Sequence, residues 1–185
     1  DRYESTTGGL MIVEKRLWEK IGGMRTKYRQ GEDLDFGLRR SKEGYRLLRK
    51  KELMAKHHTI DYMDNRRLWR DLLKGNIMYS RGMLYRDHIL NKFIFKRIIK
   101  SDGSSIMLIS LIIIAIFTNI PWVISFYFIV LGIIVIFFKK PVTLNDIVPR
   151  IAYYFIRDIL TIISFFMFFP SSYSNFKVVN NNKNG

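Results

Sequence analysis

The run SIMLISLIIIAIFTNIPWVISFYFIVLGIIVIFF, Ser105 to Phe138, decides how this chain is built, because no charged side chain interrupts it. One membrane-spanning helix takes roughly 20 apolar residues. The run is too long for one comfortable span and slightly short for two. Asn119-Ile120-Pro121 near its middle favours a hairpin of two short or tilted helices, since proline cannot continue a helix. Arg97 and Lys100 precede the run, and Lys139 and Lys140 follow it. Positive charge at both ends predicts that both lie on the cytoplasmic side, making a multi-pass membrane protein with its soluble part in the cytoplasm.

Working outward, residues 66–101 are basic, with Leu68, Trp69, Leu72, Leu73, Ile77, Leu84, Ile89, Leu90, Phe93, Ile94 and Ile98 recurring at helical spacing. This predicts amphipathic helices lying on an anionic membrane surface. Ser101-Asp102-Gly103-Ser104 then breaks the pattern. Downstream, residues 151–170 form a third apolar segment, with Arg157 and Asp158 in its interior. Such a pair is costly in hydrocarbon, so the segment either lies at the interface or packs on the hairpin with the pair satisfied. The polar, asparagine-rich residues 171–185 read as a disordered tail.

The chain carries 31 lysines and arginines against 16 acids, a net charge of +15. That excess calls for an anionic partner. The apolar second half makes a membrane the expected one, and no nucleic-acid recognition motif accompanies the basic residues. The absence of cysteine excludes disulfides, thiolate metal sites and a cysteine nucleophile.

Residues 1–65 are read as the soluble part. The apolar stretch Leu10-Met11-Ile12-Val13 reads as strand or loop, and is followed by a short helix stopped at Gly22-Gly23. Gly31 precedes a second helix, with acids Glu32, Asp33 and Asp35 at its start and Arg39 and Arg40 toward its end, an order that suits the helix dipole. Tyr45 to Leu48 reads as a short strand. The opening at Asp1, with neither initiator methionine nor signal-peptide layout, is expected of a fragment or processed piece.

Asp33 and Asp35 form an Asp-x-Asp pattern that suggests a hard cation. Residues two apart on a helix point about 200° apart, however, and do not easily chelate one ion. Two readings of the acids stand: first-turn acids that stabilise the helix, or a general base that accepts a proton from an attacking hydroxyl.

Taken in order, Gly8-Gly9, the segment Glu14 to Met24, Gly31-Glu32-Asp33-Leu34-Asp35 with Arg39, then Gly44-Tyr45-Arg46 and a later histidine resemble the C-terminal half of a family 2 glycosyltransferase catalytic domain. The resemblance covers about residues 8–59. It implies an α/β fragment of GT-A fold followed by membrane helices, in an inverting enzyme that moves a sugar from a nucleotide-sugar donor to a lipid-linked or glycan acceptor. Asp33 would be the catalytic base, and Glu32 would bind acceptor or position the loop. Asp35 with Arg39, four residues apart, is expected as a structural ion pair. His58 or His57 would complete the shell of a divalent metal, Mn or Mg, in the complete enzyme.

Arg66, Arg67 and Arg70, with Lys74 and Arg81, are candidates to meet the donor diphosphate or a lipid phosphate, or simply form a solvated basic face. Gly8 and Gly9 would let the backbone approach a sugar, or form a plain turn. The metal-chelating Asp-x-Asp and nucleotide-binding half of the family are missing from this stretch, so the chain alone is expected to be incomplete and inactive. The Gln-x-x-Arg-Trp motif of processive synthases is missing too, which points to a non-processive parent. The competing expectation is a noncatalytic membrane protein whose basic segment recruits anionic lipid or a partner subunit.

Overall fold

The computed structural model describes residues 2–3, 11–48, 65–138 and 144–170. Its elements are β1 (Arg2–Tyr3), α1 (Lys15–Ile21), α2 (Glu32–Lys42), β2 (Leu47–Leu48), α3 (Asn65–Leu73), a 3-10 turn at Asn76–Tyr79, α4 (Arg81–Asp87), α5 (Lys92–Thr118), a second 3-10 turn at Pro121–Ile124, α6 (Ser125–Phe138) and α7 (Leu144–Met167).

The α/β expectation is overturned: the architecture is all-helical. Among the described residues the only extended pairing is antiparallel, Arg2 opposite Leu48 and Tyr3 opposite Leu47, which is too short to form a layer. Met11 to Val13 stay irregular. A short apolar run becomes a strand only where a neighbouring strand takes up its backbone hydrogen bonds, and no described residue does so for this one.

Local rules explain the soluble helices. α1 stops at Gly22, whose φ of 79° is the left-handed cap that closes a helix on its own carbonyls. α2 opens after Gly31, also left-handed at φ 88°, with three acids in its first turn and Arg39, Arg40 and Lys42 in its last. The two helices meet through Trp18 and Phe36, ring centroids 5.1 Å apart. Arg39 donates to the carbonyls of Ile21 and Gly23, tying the end of α1 to α2.

One apolar cluster joins α2 to the helices that follow: Tyr28, Leu34 and Leu38 pack with Met83, Leu84, Tyr85 and Ile94. A second cluster, Leu108, Leu111, Tyr127 and Leu131, lies between α5 and α6 and takes Ile151, Phe155 and Ile159 of α7 against it. α5 and α6 form the hairpin. Asn119 ends α5 in the left-handed conformation, φ 56°, and Pro121 opens the return. Ile116, Phe117 and Trp122 at its tip are 72, 86 and 74 % exposed. An exposed apolar projection of that kind marks an interaction surface. Among the described residues one helix, α5, is long and apolar enough to cross a membrane; Pro121–Phe137 is apolar but shorter.

The break expected at residues 101–104 is a kink rather than an end. Helix α5 runs through it with only Asp102 off helical geometry, φ −135° and ψ 27°. The kink places the buried Asp102 carboxylate where Arg81 and the Tyr85 hydroxyl both donate to it.

α7 packs on the hairpin and satisfies its internal charges there. Arg157 donates twice to Asp158, at 3.0 and 2.7 Å, and once to Ser104 at 3.1 Å; it also lies 3.7 Å from Asp102. The Tyr127 hydroxyl donates to the other Asp158 oxygen at 2.9 Å. Farther along, α7 crosses α4 closely. Ser164 Oγ accepts from the Met83 amide and donates to the Met78 carbonyl. Arg86 caps the end of α7 by donating to the carbonyls of Ser164, Phe165 and Phe168.

Gly82 sets that crossing: a Cβ there would lie 2.1 Å from the Thr161 carbonyl oxygen and 2.7 Å from the Phe165 amide nitrogen. Both neighbours are backbone, so the helices must separate to admit it. Gly82→Ala is expected to destabilise the chain by about 1–3 kcal/mol. Urea unfolding in detergent micelles, followed by intrinsic fluorescence, checks this; an unchanged midpoint refutes the close crossing.

Candidate functional site

The acids that the sequence singles out are separated by the helix that carries them. Gly31 turns the chain so that Glu32 and Asp33 form the first turn of α2, both half-buried. Asp33 Oδ1 accepts from the Leu34 amide at 2.7 Å. An acidic side chain at this point sits against the positive end of the helix dipole.

Asp35 faces the opposite way and is fully buried. Arg39 Nε and Nη2 donate to its Oδ2 at 2.9 and 2.8 Å, so the pair four residues apart is made. His88, at the end of α4, places Nε2 2.9 Å from Oδ1, and Arg25 approaches the same oxygen at 3.7 Å. A carboxylate offers only acceptors, so Nε2 carries the proton of that bond. Burial pushes the Asp35 carboxyl up, but the hydrogen bonds from His88 and Arg39 and the charges of Arg39 and Arg25 outweigh it and hold the group below its usual range.

A parallel anchor lies beside it. Asp87 accepts from Lys27 and from the Tyr28 hydroxyl, and Arg86 Nε lies 3.6 Å from its other oxygen. Burial, and then the bond to Asp87, push the Tyr28 hydroxyl up, so it remains a donor. The two anchors fix the loop before α2 and α2 itself to the C-terminal end of α4.

This fastening brings the start of α2 over the basic part of α5. Leu34, next to Asp33, lines a cleft of about 350 Å³ together with Lys96, Arg97 and Lys100. Three cations thus line the cleft with Leu34 and Leu38 of α2, just before α5 becomes apolar.

The other expected residues are dispersed. Arg66, Arg67 and Arg70 belong to α3, whose packing partners are the first 3-10 turn and α7. Arg66 and Arg70 are exposed. Gly8, Gly9, His57 and His58 lie outside the described residues. Among those residues no three histidine, aspartate or glutamate side chains converge. Asp33 and Asp35 diverge, and Asp35 is already enclosed by Arg39 and His88. The described side chains therefore do not fit a divalent-metal site.

Sequence reasoning missed His88 and Arg25 as partners of Asp35. His88 is fifty-three positions from Asp35, and nothing in the local pattern around either one signals the other. Only the packing of α4 on α2 unites them.

Compared with family models, with curated proteins and with solved structures, the chain matches none.

Because the folded pKa of Asp35 lies below its unfolded value of about 3.9, its contribution to stability is complete above that value and is lost as pH falls through the folded pKa. Asp35→Asn leaves the part-buried Arg39 beside a neutral amide, and should cost about 3 kcal/mol at pH 7. The difference between wild type and variant should shrink as the solution is acidified below the unfolded value of about 3.9. Urea midpoints at neutral and acid pH measure it, and a wild-type midpoint that stays level on acidification contradicts the assignment.

Proposed function

We propose that this chain is part of a membrane-anchored, inverting glycosyltransferase, with Asp33 as the base that deprotonates the acceptor hydroxyl. The observation that carries the reading is the division of labour in the first turn of α2. Asp35 is consumed by Arg39, His88 and Arg25, while Asp33 is half-buried and its neighbour Leu34 lines a cleft with Lys96, Arg97 and Lys100.

In this reading Asp33 accepts the proton as the acceptor oxygen attacks the anomeric carbon of a nucleotide-sugar. The carbon–oxygen bond to the diphosphate breaks, and the leaving nucleoside diphosphate takes the electron pair. A carboxylate in this role contributes by general base catalysis, and the nearby cations suit an anionic leaving group or acceptor. Glu32, its neighbour, would hold the acceptor or the turn itself. Any Mn or Mg ion would accompany the donor; no step is assigned to it here.

The hairpin would enter the bilayer from the cytoplasmic side and return to it, holding α2 at that surface. Two features support this placement: the exposed apolar tip at Ile116, Phe117 and Trp122, and the lysines and arginines that flank the apolar run. A site so placed favours an acceptor carried by a lipid over a soluble glycan.

Asp33→Asn keeps the size of the side chain and removes its basicity. Introduced into the full-length protein, it should lower sugar transfer by about 100-fold or more, with membrane insertion and unfolding midpoint unchanged. Transfer at the wild-type rate would reject Asp33 as the base. A wild-type protein that transfers no sugar yet binds anionic vesicles would favour the noncatalytic, lipid-recruiting alternative.

A further inference from the structure

Two clefts meet at the kink of α5, the first with four cations in its wall and the second running on between apolar side chains. The first, about 380 Å³, opens between α3, α4, α5 and the start of α7, and is lined by Arg81, Lys100, Arg150 and Arg157 with Trp69 and Tyr153. The second, about 340 Å³, runs between α5 and α6 and is lined by Met107, Val130, Leu131 and Ile134. Lys100, Ser101, Tyr154 and Arg157 border both. A cationic chamber and an apolar groove thus share one wall.

Two cations of the chamber, Arg81 and Arg157, are held in place before any ligand arrives. Arg81 is fixed by Asp102, and Arg157 by Asp158, Ser104 and the ring of Tyr154, whose centroid is 4.5 Å from its guanidinium carbon. Trp69 and Tyr153 brace the rim edge to face, 6.2 Å apart. Exposed Lys100 has no hydrogen-bond or ion-pair partner among the described residues. Arg81, Arg150, Arg157 and Lys100 thus line one chamber, and of these Lys100 is exposed. Fixed guanidinium groups suit phosphate oxygens, which they meet as a planar fork of donors.

We propose that this paired site binds a membrane lipid whose headgroup is a terminal phosphate monoester, the phosphate in the cationic chamber and the hydrocarbon chain in the groove between α5 and α6. A free phosphate would need only the chamber. The adjoining groove, lined by Leu131 and Ile134 of a helix in the membrane hairpin, is what selects a lipid. The cleft lined by Leu34, the residue after Asp33, also ends at Lys100 and Ser101, so the two clefts adjoin there. As an acceptor site the proposal rests on the transfer reading above; as a lipid site it does not.

The test is lipid binding by the full chain in phosphatidylcholine nanodiscs doped with phosphatidic acid, with phosphatidylserine-doped and undoped discs alongside, read by native mass spectrometry. Saturable binding of one phosphatidic acid per chain is expected. Lys100→Ala should weaken it about tenfold, the loss of one charge-assisted hydrogen bond. Ile134→Trp, which fills the groove and leaves the chamber intact, should weaken it as well.

Inorganic phosphate and pyrophosphate form the soluble arm. If either displaces the lipid and binds Ile134→Trp as tightly as wild type, the chamber takes free phosphate and the lipid assignment is overturned. Equal binding of phosphatidylserine, unaffected by both substitutions, would reduce the effect to surface charge and also overturn it. Asp33→Asn separates the two proposals: it should abolish transfer and leave lipid binding at the wild-type level.

Discussion

Arg157 and Asp158 sit inside the apolar part of α7, and the packing of α4, α5, α6 and α7 is organised around satisfying them. An ionised side chain in hydrocarbon is expensive unless paired and hydrogen-bonded. The chain solves this by laying α7 across the hairpin, where Ser104 and Tyr127 supply the remaining partners. Once α7 is there, it contacts α3, α4, α5, α6 and the first 3-10 turn, and so becomes the element through which the soluble and apolar halves are joined. The kink at Asp102 belongs to the same solution, since it delivers a second buried carboxylate between Arg81 and Arg157.

Buried ion networks of this sort are weak evidence for stability, because desolvation offsets most of the attraction. Their value here is positional. Each member has partners on different helices, so the network is complete in only one arrangement of α4, α5, α6 and α7. Gly82 and Ser164 supply the complementary requirement, a crossing of α4 and α7 close enough for side chain to meet backbone. Polar satisfaction and close approach therefore specify the same geometry.

The two aspartates of α2 show how one helix turn creates unlike environments from like residues. Asp35 is buried and held ionised by Arg39, His88 and Arg25, which fastens α2 to α4. Asp33, two residues earlier, accepts from the Leu34 amide and keeps partial access to solvent. The structural role of one fixes the helix that carries the other. A site for chemistry on an anionic or lipid-borne substrate would need that combination of a rigid mount and an accessible acid.

Much of the local structure was written in the sequence alone. The uncharged run from Ser105 to Phe138 with Asn119 and Pro121 at its middle determines two apolar helices and a turn, because a left-handed residue and a proline stop a helix whatever surrounds it. Gly22 ending α1, Gly31 before α2, and the pairing of Asp35 with Arg39 follow from equally local rules. Tertiary structure decided what locality does not reach. The apolar stretch at residues 10–13 reads as strand or loop and residues 45–48 as a short strand; a strand exists only through a neighbour, so Leu47–Leu48 pairs with Arg2–Tyr3, Met11 to Val13 stay irregular, and no layer of an α/β domain forms. The choice for residues 151–170 between lying at an interface and packing on the hairpin was likewise open until Tyr127 and Ser104 were placed beside Asp158 and Arg157. His88 meeting Asp35, and four cations gathering around one chamber, depend on contacts between residues far apart in the chain, and such contacts leave no periodic trace in the sequence.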